Sequence, residues 1–468
     1  MPSFLRRLLH ASLASQLRRN IASGVAAAGI NAVAAVIAYP IFAHFLGLEL
    51  YGVWLVLASF MQFALLGDLG VSHALTKLVA EHHAHNNAAE IRRYLAASFT
   101  VLAAAGVLVV AASAVAAEPL AAACELSPAH AAIVSKWLPI VGGLTAYALA
   151  CQALHATLGG LGRMDLANYI QSAGRSLGMG LSAVLVLMGF GLLGMVIGAA
   201  VTCVLTNIAY LLALRHAAGM RKVFGEAPRR QHYAQIVGFG GGVFFAALMH
   251  QALGPINRLL ICRFAGVASV PVFEIAFAAS QQIRSLSAAA FRAVTPEVSR
   301  LGALGGDASV RLRQLDRQAL KLTAMTSLPA FVLVFLAADP LLALWLDAEL
   351  AGPVASVLRV LLVGCALNLL AVPSYHTLMG LGRVRSVVIS AIVCQAINAV
   401  AVGLILLATG SFTPLLAAVA STVAMVATAA YLIERKHNAV AAMEAAPPAT
   451  QPLAPAAGMT PAAGRLAG

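Results

Sequence analysis

Along the chain, long apolar runs alternate with short stretches of charge, glycine and proline. Twelve runs emerge, at about 21–46, 52–76, 95–117, 137–161, 166–188 and 191–214, then 236–262, 267–290, 322–346, 354–380, 386–408 and 412–433. Each is close to the ~20 residues a helix needs to cross the hydrocarbon core of a bilayer. Hydrocarbon offers no partner to a free peptide group, so runs of this length must close their hydrogen bonds internally as helices. The expected fold class is an all-α polytopic membrane protein. Around the runs lie a basic leader (1–20), a basic linker (215–235) between segments 21–214 and 236–433, and an Ala, Pro, Gly and Thr-rich end (434–468) whose composition suits a disordered tail.

Composition agrees with the pattern. The 468 residues are 61% hydrophobic and 10% charged, with mean hydropathy +0.89, a balance suited to lipid rather than water. The formal charge of +13 does not indicate nucleic acid, because Lys and Arg sit between apolar runs and form no stripe with interleaved aromatics. They indicate orientation instead. With the N-terminus in the cytoplasm, only Lys136 and Arg263 of the 30 Lys and Arg fall in outward turns, and Arg175, Arg258 and Arg359 lie within runs, with Arg284 counted on the cytoplasmic side at the inner end of the eighth. That is the asymmetry of the positive-inside rule, and it predicts a multi-pass inner-membrane protein with both termini cytoplasmic. Arg6, Arg7, Arg18 and Arg19 precede Ile21 without an intervening apolar stretch, unlike a cleaved signal peptide. The outward turns are short, the longest spanning about Glu118 to Lys136, and leave no room for an extramembrane catalytic domain.

The two halves are related. His155-Ala-Thr-Leu-Gly-Gly-Leu-Gly-Arg163 matches Tyr375-His-Thr-Leu-Met-Gly-Leu-Gly-Arg383, Phe45-Leu-Gly47 matches Phe264-Ala-Gly266, and Arg93 matches Arg313. A repeat of six spans keeps the same orientation in each half, so two six-helix lobes are expected to face each other across a central cavity about an axis along the membrane normal.

Candidate chemistry is sparse and cationic. Ionisable groups within a membrane cost roughly 2.5–3.5 kcal/mol each and by default face a wet cavity or a partner. Arg175 lies near the middle of its span, Arg258 in the outer part of its span, and Arg284 and Arg292 at the inner end of the eighth; against them stand Asp68 and Glu274. Guanidinium groups hold phosphate through bidentate, charge-assisted bonds, so these arginines are substrate-binding candidates for an anionic cargo. Asp68 is read first as a buried partner or helix anchor, and Glu274 as either a coupling-ion site or a solvated vestibule group. Pro40, Pro255 and Pro373 are expected to break their spans. Asn31, Gln62, Gln152, Asn168, Gln171, Asn257, Gln281 and Asn368 fit a wet interior as a set, while each alone is equally an interhelical bond. His82-His-Ala-His85 lacks metal-ligand spacing with Cys or carboxylate, no Walker sequence is present, and the six scattered cysteines indicate neither a disulfide framework nor a metal site. No cofactor is expected.

Phe45-Leu-Gly-Leu-Glu-Leu-Tyr-Gly-Val-Trp54, Gly67-Asp-Leu-Gly70 and Thr76-Lys77 resemble the opening of the polysaccharide-biosynthesis flippases, the Wzx-type branch of the MOP (multidrug, oligosaccharidyl-lipid, polysaccharide) exporter superfamily. The resemblance implies a V-shaped, MATE-like pair of lobes that alternates between inward-open and outward-open states. It further implies a cargo of undecaprenyl-pyrophosphate-linked oligosaccharide for O-antigen or other surface polysaccharide, and partnership with a polysaccharide polymerase and glycosyltransferases. Gly47, Tyr51, Gly52, Asp68 and Gly70 carry over as fold markers only. A drug or cation exporter of the same superfamily, a peptidoglycan-precursor flippase and a membrane-embedded glycan-processing enzyme are the alternatives. A drug exporter would want cavity acids, and an enzyme a large outward loop or clustered carboxylates.

Overall fold

A computed structural model describes residues 3–68, 70–217, 220, 222–289, 308–381 and 383–445. The described residues are helical throughout their length except at short turns, as lipid requires of a chain this apolar. The first lobe contains α1 (Ser3–Leu65), α2 (Val71–Ala84), α3 (Ala88–Ala123), α4 (Pro128–Gly160), α5 (Met164–Leu187) and α6 (Gly191–Leu212). The second contains α7 (Arg230–Ala265), α8 (Val270–Ala289), α9 (Ala308–Leu336), α10 (Ala338–Trp345), α11 (Ala348–Leu369), α12 (Val372–Gly380), α13 (Val384–Thr409) and α14 (Pro414–Ala445). Among the described residues eight helices are long and apolar enough to cross a membrane, and Ser327–Leu336 with Ala338–Trp345, bent by 68°, adds a ninth if the bent pair is one span. Described helices also occupy the places of the other expected spans: α7, α8, and the end of α1 followed by the short helix Leu66–Asp68 and α2.

Several boundaries differ from expectation. The first two spans form one long α1, interrupted only at Gly47 (φ 76°, ψ 159°). The second half repeats that device at Gly266 (φ 84°, ψ 158°), between α7 and α8. Both glycines lie at matching positions of the sequence repeat and occupy backbone space that is essentially closed to other residues. The two Gly-Leu-Gly-Arg turns also match: Arg163 N donates to Leu158 O at 3.1 Å, and Arg383 N to Leu378 O at 2.9 Å. Pro40 and Pro255 lie inside continuous α1 and α7 rather than breaking them; Pro373 alone of the three sits at a new helix start, in α12. The expected outward loop from Glu118 to Lys136 shrinks to Cys124–Ser127, because α3 and α4 run on at both sides. Likewise α14 continues to Ala445, so residues 434–445 are helical and not the disordered tail expected from composition.

The lobes share one core and keep two apart. A large buried cluster takes Phe42, Leu46, Tyr51 and Leu138 from the first lobe together with Ile261, Phe273, Leu350 and Leu358 from the second. It lies at the end of the molecule that carries Gly47, Glu125, Gly266 and Asp347, here termed the latch end. Towards the opposite end, which carries residues 222–229 and is termed the linker end, lie two smaller clusters. One is built on Leu75, Tyr94, Leu154 and Leu158, the other on Leu378, Val387 and Leu432. Among the described residues only the start of α7 joins a buried cluster of the other lobe there, so the core shared by both lobes lies at the latch end of the V.

The start of α7 is an exception that explains how the lobes stay connected. Its first turns pack on the first lobe, where Ile236 joins the Leu75 cluster. His232 Nε2 lies 2.7 Å from Glu90 Oε2, Arg92 pairs with Glu226 at 3.1 Å, and Tyr94 donates to Gln235. The helix thus begins on one lobe and ends in the core that both lobes share.

Candidate functional site

Closure at the latch end is made by backbone and side chains of both lobes in direct contact. Gly52 of α1 lies so close to Val267 that a Cβ on it would fall inside the Val267 carbonyl. Arg263, at the end of α7, pairs with Glu125 beyond α3, and His44 Nδ1 lies 3.0 Å from Asp347 Oδ2. Proline chemistry supplies a further contact. Pro40 has no N–H to offer the carbonyl four residues earlier in its helix, and that carbonyl, Val36 O, accepts from the indole nitrogen of Trp345 in α10 at 2.5 Å. A bond missing within one lobe is replaced by a bond from the other, which accounts for α1 passing through Pro40 unbroken.

These contacts border a cavity of about 390 Å³ lined by Pro40, Ile41, His44, Phe45, Leu344 and Trp345, among others. Replacing Trp345 by Phe keeps the ring and leaves Val36 O without its donor, an expected loss of roughly 1–3 kcal/mol. In a Pro40→Ala background the helix itself supplies an N–H to Val36 O, so the same Trp345→Phe change should lose at least half of its effect on the thermal unfolding midpoint. Equal losses in both backgrounds would refute this role for the indole.

Beneath the closure lies the ion pair that the spans bring together. Arg258 of α7 is 3% exposed, and its Nε lies 2.9 Å from Glu274 Oε2 of α8. The pair is close but off the hydrogen-bonding axis, since neither atom makes an aligned hydrogen bond. The rest of the guanidinium reaches into the first lobe: Nη1 donates to Ser59 Oγ and Nη2 to Gln62 Oε1, each at 3.3 Å. Arg258 is therefore a neutralised strut between lobes, with no free charge to offer a cargo in this state.

The remaining candidates are dispersed. Arg175, on α5, is exposed and has no hydrogen bond or ion pair among the described residues. Tyr39 of α1 and Tyr210 of α6 are near enough to feel its charge. Arg284 lies ten residues beyond Glu274, about 15 Å along α8, and donates through Nε to Gln281 Oε1 at 2.7 Å. Arg292 is outside the described residues. Asp68 is distant in role as well as place: it accepts from Ser72 N at 3.2 Å and Ser72 Oγ at 2.6 Å, anchoring the start of α2 after the break in its span. Arg359 pairs with Asp339.

The polar amides act as interhelical bonds wherever the structure pairs them across helices. Asn257 donates to Ser421 Oγ at 2.8 Å and accepts from Asn398 at 3.3 Å. Asn368 donates to Met425 O at 3.0 Å, and Ser176 to Asn31 Oδ1 at 3.2 Å. Sequence reasoning missed Ser59, Tyr39, Trp345 and the His44–Asp347 pair. For Trp345 a signal existed, namely the carbonyl that Pro40 was bound to leave free.

Comparison with known proteins agrees with this geometry. A multidrug-resistance MATE transporter of the MOP superfamily in its inward-facing conformation is 17% identical, covering 92% of this chain and 96% of that one with a TM-score of 0.68. The lipid II flippase MurJ in an inward closed conformation is 13% identical, covering 88% and 87% with a TM-score of 0.68. A MOP-superfamily transporter from Pyrococcus furiosus is 17% identical, covering 91% and 96% with a TM-score of 0.60. A search of curated proteins finds no match to the sequence. The two-lobed architecture is thus the fold of these MOP-superfamily proteins. The sequence matches the polysaccharide biosynthesis protein family over residues 17–301, more than half of the chain, and this protein belongs to that family. Residues 242–404 also match the MatE family.

Proposed function

We propose that the protein is a flippase that moves an undecaprenyl-pyrophosphate-linked oligosaccharide from the cytoplasmic to the periplasmic leaflet of the bacterial inner membrane, for surface polysaccharide or O-antigen assembly. Each sugar hydroxyl taken unpaired through hydrocarbon costs roughly 2–7 kcal/mol, so a few sugars make unassisted crossing negligible. A V-shaped cleft removes that cost by keeping the head group wet while the polyprenyl chain stays in lipid. On this reading the basic linker end faces the cytoplasm with both termini, and the described state is inward-open. A polysaccharide polymerase and glycosyltransferases are the natural partners, since the flipped unit must be made on one side and consumed on the other.

The observation that carries the choice of cargo is Arg175. Arg258 is neutralised by Glu274, and Arg175 has no partner among the described residues, so it is the mid-span cation left to meet a pyrophosphate. Arg175→Ala is expected to leave lipid-linked oligosaccharide on the cytoplasmic leaflet of native cells, as deletion of the protein would. Arg175→Lys should retain part of the flux, because it keeps the charge and loses bidentate geometry. Unchanged leaflet distribution in the deletion strain would overturn the flippase reading. A second reading, drug or cation export, is favoured by the MatE match at 242–404. It is disfavoured by Glu274 being occupied by Arg258 and Asp68 by Ser72, and drug-efflux assays on the same strains separate the two.

A further inference from the structure

Five of the six cysteines lie within apolar spans, and their spacing in sequence indicates no disulfide framework. Two of the six, from opposite lobes, meet at the latch end. Cys124 follows the last residue of α3, with its backbone N–H on Leu120 O at 3.1 Å, and Glu125 then turns into the left-handed region (φ 47°). The turn sends consecutive side chains to different places. Glu125 goes to the surface, where it pairs with Arg263, and Cys124 goes inward, 3% exposed. Cys262, the residue before Arg263 on α7, is 1% exposed. Both thiols belong to the core that the lobes share, next to the Glu125–Arg263 pair, and are close enough for each to sense the other. Residues 124 and 125 of the first lobe thus face residues 262 and 263 of the second, one pair through sulfur and the other through charge. Cys151 and Cys203, which also sense each other, both belong to the first lobe and cannot link the two.

A covalent bond between Cys124 and Cys262 would tie the lobes where they must part for the cleft to open the other way. The pair also lies at the end that the proposed function places in the periplasm, a compartment in which disulfides form and persist. We propose that Cys124 and Cys262 form a reversible inter-lobe disulfide that locks the latch end shut, so that oxidation arrests the transporter with its cleft open at the linker end. The compartment part of this proposal rests on the orientation argued above; the pairing itself does not.

The oxidant is a disulfide, either a small molecule or the active-site disulfide of a thiol oxidoreductase. When the latch end opens transiently, the Cys124 thiolate attacks one sulfur of the oxidant and expels the other as a thiolate, giving a mixed disulfide. On closure the Cys262 thiolate attacks the Cys124 sulfur and expels the second oxidant sulfur. The two protons given up by the cysteines are taken by the two departing thiolates. The net change is one disulfide made in the protein, one reduced in the oxidant, and two electrons passed between them.

The test uses the full-length protein in detergent, oxidised with glutathione disulfide, then denatured, alkylated and digested for mass spectrometry. A 124–262 linked peptide that disappears with dithiothreitol, and is absent from Cys124→Ser and Cys262→Ser, is the expected result. Its absence, with glutathione adducts only or no change, would overturn the pairing. In the native membrane, diamide should slow cargo movement at least tenfold in the wild type and leave Cys124→Ser and Cys262→Ser unaffected. Equal slowing of all three would overturn the lock. The detergent measurement depends on neither orientation nor cargo. A linked peptide in detergent with reduced thiols in untreated cells would therefore refute the periplasmic placement and leave the pairing standing.

Discussion

Replacing Glu274 with Ala is expected to destabilise the protein by about 3–5 kcal/mol, the usual consequence of leaving one member of a buried ion pair without its partner. Arg258 is 3% exposed, and its remaining ligands are the neutral oxygens of Ser59 and Gln62, which do not balance a full charge in a low dielectric. The variant should show a markedly lower thermal unfolding midpoint in detergent and a lower yield of folded protein. The control is Arg258→Met combined with Glu274→Leu, which removes both charges and keeps the volume. Buried pairs replaced in this way are often neutral or more stable, so the double variant should recover most of the loss. A double variant as unstable as Glu274→Ala would show that the site needs its hydrogen bonds to Ser59 and Gln62 rather than charge balance. Recovered stability without recovered transport would mean that the pair serves the switching of the lobes, since Arg258 is where the second lobe grips the first.

The second large effect is expected at Gly52. Even a methyl group there would collide with the Val267 carbonyl, and backbone on both sides leaves no flexible side chain to yield. Gly52→Ala and, more strongly, Gly52→Leu should wedge the latch end open and shift the lobes away from the closed state. Each 1.4 kcal/mol of strain confined to the closed state shifts the balance about tenfold. Cys262 reports the shift directly because closure buries it. Its alkylation by a small maleimide should be at least tenfold faster in Gly52→Leu than in the wild type, with unfolding excluded by an unchanged thermal transition. Unaltered protection would mean that α1 and the Val267 turn move together and that Gly52 does not govern closure.

The pattern along the chain carried the architecture further than the site. Apolar runs and the positive-inside asymmetry led to the two-lobed plan, and the repeat led to Gly47 and Gly266, whose backbone angles agree within 8° in φ and 1° in ψ. Asp68 was legible as a helix anchor because an acid within Gly67-Asp-Leu-Gly70, just before α2, has orphan donors close by, and Ser72 supplies them. The arginines were legible only as an inventory. Nothing local distinguishes Arg258, which Glu274 neutralises, from Arg175, which stands exposed, because the difference lies in which helix packs opposite.

Helix ends were misjudged for a related reason. Hydropathy marks where lipid stops, whereas a helix continues into water as long as its own bonds and neighbours hold it, as α3, α4 and α14 do. Pro40 was read as a break because a proline removes a bond, and the replacement donor, Trp345, is more than three hundred residues away in the other lobe.

By itself the sequence determined that this chain lives in lipid, that its peptide groups must close into helices, that its halves repeat, and that its intramembrane charge is mainly arginine. These are properties of solvent and of short-range backbone geometry, and each is written within a window of about twenty residues. Only the tertiary structure decided which end of the V is shut, which arginine is neutralised, and which two cysteines face each other. The contacts between lobes join residues 138 to 309 positions apart, from Cys124 with Cys262 to Val36 with Trp345, and even Arg258 and Glu274, 16 apart, meet only because α8 packs back on α7.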